Sequence, residues 1–317
     1  MRDLKQKLLS GWIAGALVAG LGAGCTSTSV RMRQPVTATQ TPQVSSKWTG
    51  PRRRIGIVDF VNKSSYGARL GSAASDILIT ELTKTGKFVV VEREKINKIL
   101  EEQKLQASGA IDPRSVIQVG KILGLNAIVT GAVSQFGVKT EGFEGLVAQS
   151  KRQIAEATVD IRVVDAETGQ VLYAESGKGA GKSVKRSFLG LGGRGGYDET
   201  LEGEALRAAI AQFTENIVSR VNARPWSCRI AGVSGELVYL NAGEGLGLER
   251  GAELECFHLG KEILDPTTGL ILGYEEAPLG RLRVTGPLGD SGEGSVARFI
   301  KTTGAAPAAK DICRWPS

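Results

Sequence analysis

The texture of the chain changes at Pro225, and that change constrains the fold more than any single residue. Before it, short apolar runs alternate with segments that place apolar residues at helical spacing; after it, brief alternating segments are separated by glycine turns. Ile55 to Val61 is an apolar run, and residues 68 to 85 carry Leu70, Ala74, Ile77, Leu78 and Leu82 at helical spacing. Gly86 stops that helix, Phe88 to Val91 reads as a buried strand, and Lys95 to Lys104 gathers Ile96, Ile99 and Leu100 on one helical face. Asp112-Pro113 opens another helix, with Val116, Val119 and Leu123 inward, which Gly124 ends before a strand from Ala127 to Phe136. Strands Ala157 to Val164 and Gln170 to Ala174 flank Asp165-Ala166-Glu167-Thr168-Gly169, where Asp bonds its own backbone and Gly supplies the positive φ. They predict an antiparallel hairpin. A helix from Leu201 to Val221 then covers one sheet face with Leu206, Ile210, Phe213 and Ile217.

Beyond Trp226, segments Gly235 to Asn241, Ala252 to Leu259, Leu270 to Tyr274, Gly280 to Thr285 and Gly294 to Ile300 predict a small β-barrel. Asp265-Pro266-Thr267-Thr268-Gly269 repeats the turn device of the first half. The expected fold class is an α/β (α+β) sheet-and-helix periplasmic domain at 52–224, followed by a small all-β barrel-like domain with a tail at 225–317.

The N-terminal residues read as a secretory leader: Arg2, Lys5 and Lys7, then an apolar stretch from Leu8 to Leu21, then small residues ahead of Cys25. Fourteen residues at a helical rise of about 1.5 Å fall short of a hydrocarbon core of about 30 Å, so the segment is a leader and not a permanent span. Leu21-Gly22-Ala23-Gly24-Cys25 resembles a lipoprotein cleavage site, with residues 1–24 as signal peptide and Cys25 as acylation site. Several acyl chains, at about 0.8 kcal/mol per buried methylene, anchor a protein stably. Thr26 follows in place of the Asp that marks inner-membrane retention, which points to the periplasmic face of the outer membrane. Residues 25–51, rich in Thr, Ser, Gln and Pro, read as a flexible tether.

Residues 1–24 carry three basic residues and one acidic residue, so the formal net charge falls from +7 to +5 on their removal. That balance is not clustered enough to imply nucleic acid. Arg52, Arg53 and Arg54 form a dense basic run, read as a solvated domain edge with attraction to anionic headgroups or peptidoglycan as the alternative. His258 is the only histidine, which leaves little material for a catalytic triad or a histidine-rich metal centre. It reads as a barrel histidine near a strand end. No catalytic residue, metal, cofactor or small-molecule substrate is expected.

Ser176-Gly177-Lys178-Gly179-Ala180-Gly181-Lys182-Ser183 approaches a phosphate-binding loop, but Ser176 replaces the first glycine and the glycines beyond Leu189 cannot build the required helix. The segment is expected to be a mobile basic loop, with Lys178, Lys182, Lys185, Arg186 and Arg194 as a partner or membrane contact. Besides Cys25, three cysteines remain. In an oxidising compartment one disulfide and one thiol is the simplest arithmetic. Cys256 alternates with Leu254 and is assigned to the core; Cys228 and Cys313, at opposite ends of the second domain, are expected to pair.

The first domain resembles the curli-secretion lipoprotein family, CsgG and its holdfast-anchor relatives. The residues that carry this are Ile55-Gly56-Ile57-Val58-Asp59-Phe60, Val91-Glu92-Arg93, Ile99-Leu100-Glu101-Glu102-Gln103-Lys104, Ala127-Ile128-Val129-Thr130-Gly131, Ile161-Arg162-Val163-Val164-Asp165 and Leu201-Glu202-Gly203-Glu204-Ala205. Residues 228 to 300 resemble the C-terminal domain of a flagellar periplasmic protein, FlgT. The first resemblance implies a non-catalytic periplasmic domain that forms homo-oligomeric rings, docks cell-envelope proteins and, in curli secretion, gives two membrane hairpins per subunit. An oligomeric outer-membrane secretion pore for curli-like subunits, activation of peptidoglycan synthesis and a flagellar accessory role are the alternatives. The segments in the hairpin positions, Val138 to Glu156 and Lys178 to Glu199, place charges on both strand parities, whereas a membrane strand needs one apolar face. A ring-forming or partner-docking domain without a pore is therefore expected.

Overall fold

The computed structural model describes residues 36–37, 50–67, 69–91, 93–102, 113–144, 148–188, 200–267, 269 and 271–316. Among these, the first half is built on a mixed sheet ordered β1-β7-β6-β5-β2-β4. Its strands are β1 (Val36–Thr37), β2 (Arg53–Ile57), β4 (Phe88–Val91), β5 (Ala127–Glu144), β6 (Ala148–Asp165) and β7 (Val171–Phe188), with β3 (Val61–Asn62) pairing β5 off this path. β2 runs parallel to β4 and β5, and β5, β6 and β7 form an antiparallel meander.

Helices α1 (Leu70–Lys84) and α4 (Thr200–Asn222) lie on one face, over a core that includes Ile55, Ile57, Val129, Val159 and Ile161. On the other face, α2 (Arg93–Glu102) and α3 (Pro113–Leu123) close a smaller core of Ile96, Val119, Ile128 and Val164. The expected β6–β7 turn is present: the Asp165 carboxylate accepts from the Glu167 and Thr168 N–H groups at 2.8 Å each, and Gly169 sits at φ 71°.

β5, β6 and β7 each run 18 residues, past the ends that apolar periodicity marks. The expected glycine-rich loop is a correction: Lys178 and Lys182 lie inside β7. Gly177, Gly179 and Gly181 are buried because α4 rests directly on them. A Cβ at Gly181 would stand 2.7 Å from the Leu201 carbonyl oxygen, and those at Gly177 and Gly179 would fall on the backbone of Ala209 and Ala205. A helix backbone approaches a strand this closely only over residues without side chains. The same contact leaves these backbones no room to cradle phosphate.

The second, sheet-rich part follows the order β10-β11-β12-β9-β8-β13, and β13 pairs back onto β10. Its strands are β8 (Ser227–Ser234), β9 (Leu237–Leu240), β10 (Glu253–Leu264), β11 (Ile271–Leu288), β12 (Gly294–Thr302) and β13 (Ile312–Arg314). They enclose Trp226, Ile230, Val238, Leu240, Leu254, Leu282 and Val284. β11 joins two expected segments into one strand.

The expected Cys228–Cys313 disulfide is also corrected. The bond links Cys256 to Cys313, and Cys228 is a buried free thiol. Strand register supplies the reason, because Cys313 lies opposite Cys228 on β8 and opposite Cys256 on β10. Trp315 N–H donates to Trp226 C=O and Ile230 N–H donates to Asp311 C=O, so the two-residue alternation makes Cys228 and Cys313 a hydrogen-bonded pair. Cys313 then faces β10 through the closer, non-hydrogen-bonded spacing, with a Cα–Cα distance of 4.0 Å to Cys256. That approach brings the Cys256 and Cys313 sulfurs together.

Candidate functional site

Two features outside the cores carry charge in organised form among the described residues: the joint between the two sheets, and the part of the β5–β6–β7 face opposite α4 that lies beyond α2 and α3. The joint corrects the reading of Arg52 to Arg54 as a solvated edge. Arg53 shares strand parity with Ile55 and Ile57 and is only 2% exposed. Its guanidinium donates to Asn222 Oδ1 at 3.1 Å, to Pro225 C=O at 3.3 Å and to Arg224 C=O. Burial, reinforced by the neighbouring Arg224 charge, lowers its pKa to about 10.

Arg52 N–H donates to Leu246 C=O and its side chain to Gly245 C=O, both at 2.6 Å. Arg54 donates to Asn241 C=O at 2.8 Å and pairs with Glu293. Trp226 Nε1 returns a bond to Arg52 C=O at 3.1 Å. The β6–β7 turn docks on the same seam, where Arg224 pairs with Asp165, and Arg229 with Glu167 at 3.1 Å. The tip of the β10–β11 hairpin reaches α3 through Lys121 and Glu262, 3.6 Å apart. Strand parity is the signal that finds Arg53 from sequence; the density of charge around it points the other way.

Beyond the α2 and α3 core, the sheet face opposite α4 is polar. Register sets Lys139, Ile154 and Lys182 in one cross-strand row, and Gln135, Thr158 and Lys178 in another, on the side opposite α4. Arg152 shares this face and, like Lys139 and Lys182, is exposed; Lys178 is half-buried. The structure thus brings Lys178 and Lys182 together with Lys139 and Arg152, two cations that sequence reasoning did not group with them. Their shared face is legible only from the β5–β6–β7 register. Glu141 and Glu156 lie among them, with Lys139 3.7 Å from Glu141. Lys185 and Arg186 are adjacent in β7, so they fall on opposite parities, while Arg194 and Cys25 lie outside the described residues.

His258 Nδ1 is 2.9 Å from Asp311 Oδ1, whose carboxylate also accepts from the Leu259 and Ala308 N–H groups. The contact ties β10 to the segment before β13. Among the described residues, no group of three His, Cys, Asp or Glu side chains has the geometry to hold a metal ion, and no helix is long and apolar enough to cross a membrane. The organised chemistry of both features is ion pairing and hydrogen bonding, which suits fixing one sheet against the other and presenting a charged surface.

The family described as curli production assembly/transport component CsgG matches residues 34–244. A Neisseria meningitidis serogroup B protein named as a lipoprotein is 29% identical over 232 residues, covering 70% of this chain and 98% of that protein. CsgG of Escherichia coli K12 is 25% identical over 119 residues, covering 34% of this chain and 43% of CsgG. Among solved structures, lipoprotein GNA1162 from Neisseria meningitidis has a TM-score of 0.31 at 14% identity, covering 54% of this chain and 99% of that one. The C-terminal domain of LpoB from Salmonella enterica also has a TM-score of 0.31, at 11% identity, covering 45% and 91%.

Proposed function

We propose, from the premise that this chain belongs to the CsgG family, that it is a non-catalytic lipoprotein on the periplasmic face of the outer membrane. It acts in cell-envelope assembly or secretion by forming homo-oligomers and docking partner proteins. The family match over residues 34–244 carries this reading, and the meningococcal relative named as a lipoprotein supports the anchor. Cys25 holds the lipid. The stretch of the sheet face opposite α4 with Lys139, Arg152, Lys178 and Lys182 is the docking surface, suited to an acidic partner or to anionic headgroups.

A second reading, an oligomeric pore for curli-like subunits, draws on the 18-residue length of β5, β6 and β7, since about nine to eleven residues cross a bilayer. Register argues against it. The rows Lys139–Ile154–Lys182 and Glu141–Arg152–Val184 put charges on one face, and Lys151 opposite Lys185 puts charges at the other parity. A lipid-facing Arg or Lys at midplane costs about 2–4 kcal/mol, repeated in every subunit.

Cys25→Ser behind an ordinary cleavable signal separates the two readings. Release of the variant into the soluble periplasmic fraction is the expected result. Retention that only detergent reverses would overturn the tethered reading in favour of the pore.

A further inference from the structure

We propose that the chain between the lipid site and the folded body is pinned by β1 to the outer edge of β7, so that the protein hangs on a short leash. The inference rests on the reading of Cys25 as the acylated residue. β1 pairs in parallel with β7, Val36 opposite Gly179 and Thr37 opposite Ala180, and it lies beside α4 as well. β7 is laddered to β6 along nearly its whole length, while β1 is its partner on the other side. An 18-residue edge strand presents a row of N–H and C=O groups that favours addition of an extended segment. The Gln212 side chain, reaching from α4, donates to Lys178 C=O, one residue from the β1 pairing.

The consequence is one of length. Eleven residue steps separate Cys25 from Val36, a fully stretched span of about 40 Å. Twenty-eight steps separate Cys25 from Arg53, where β2 begins, a span of about 100 Å if nothing interrupts it. Docking of β1 therefore cuts the reach to less than half. It also puts the attachment point between Lys178 and Lys182, so these cations stay within leash length of the headgroups around the anchor.

Two experiments test this. In the soluble Cys25→Ser chain, amide exchange of a peptide containing Val36 and Thr37 should be slowed about tenfold relative to an unstructured peptide, and the V36P/T37P variant should speed exchange across 176–182. Exchange at the unstructured rate, with 176–182 unaffected by the prolines, would overturn the docking whatever becomes of the lipid.

In the lipidated full chain on phosphatidylethanolamine–phosphatidylglycerol vesicles, a dye on Ser234→Cys reports height by energy transfer to a membrane dye. Ten Gly-Ser residues inserted after Ser27 should raise the mean height by about 7 Å. The same insertion after Gln43 should leave it unchanged. Equal rises from both insertions refute the pin. A chain that does not bind vesicles, with no acyl mass on its N-terminal peptide, sinks the anchor reading and leaves the exchange measurement to decide the docking.

Discussion

Replacing Gly179 by Ala tests whether α4 lies on β7 as described. The new Cβ would fall within 3.0 Å of backbone atoms of Ala205, Ala208 and Ala209. None of these is the end of a flexible side chain that could swing away. Restoring a van der Waals separation of about 3.4 Å requires the helix to lift by about 1 Å, which loosens Ala205, Ala209, Ile210 and Phe213 over the sheet together. Overpacking of this kind costs about 1–3 kcal/mol, and backbone against backbone belongs at the upper end. Gly177→Ala should match it, and Gly181→Ala, with its nearest atom at 2.7 Å, should cost less. Gly203 on α4 has open space around its Cβ position, so Gly203→Ala should stabilise by up to about 1 kcal/mol. Urea unfolding of the soluble Cys25→Ser chain reads these as midpoint shifts at constant slope. A Gly179→Ala midpoint equal to the parent's, or Gly181→Ala as the most damaging change, would refute the packing and restore a loop.

The joint and the cysteine row give two further predictions. Arg53→Met recovers about 3 kcal/mol of the desolvation and Arg224 repulsion that lower the Arg53 pKa to about 10, but orphans three acceptors at about 1–3 kcal/mol each, for a net loss of up to about 6 kcal/mol. Because the folded value is depressed, the unfolded chain holds the extra proton only above about pH 10; the parent's margin over Arg53→Met should be flat from pH 6 to 9, and a slope there counts against the assignment. In Cys256→Ser, Cys313 stands opposite Cys228 at the wider, hydrogen-bonded spacing, so peptide mapping should find both as free thiols, and a Cys228–Cys313 bond would count against that register. In the parent, burial pushes the Cys228 thiol up to about 12, so iodoacetamide at pH 8 should label it only after unfolding. The unfolded thiol ionises first as pH rises above about 9, so this group's contribution to stability falls from there towards pH 12.

The elements legible in the sequence are those whose signal is local. Asp165 to Gly169 makes its turn with its own side chain and one positive φ, and α3 starts at Pro113 and stops before Gly124 at φ 63°. What escaped depends on partners distant along the chain. The choice of Cys313 between Cys228 and Cys256 follows from the register of a three-residue strand, which no spacing of cysteines encodes. Arg53 was legible by parity with Ile55 and Ile57, but Arg52 and Arg54 beside it made the run look solvated.

Gly177, Gly179 and Gly181 are the instructive case, because glycine's local tendency is freedom and tertiary contact reverses it. Glycines two apart on a strand recur about every 6.8 Å along one face, and residues four apart on a helix recur about every 6 Å. These steps are close enough for a helix to lie along the strand over several contacts. The contacts follow that arithmetic in antiparallel order: Gly177 meets Ala209, Gly179 meets Ala205 and Ala209, and Gly181 meets Leu201 and Ala205. Two complementary patterns, Gly-x-Gly-x-Gly and the four-residue spacing of Leu201, Ala205 and Ala209, therefore specify one helix on one strand. It is the pairing of the patterns, and neither alone, that turns an apparent loop into the strand whose free edge receives the N-terminal chain.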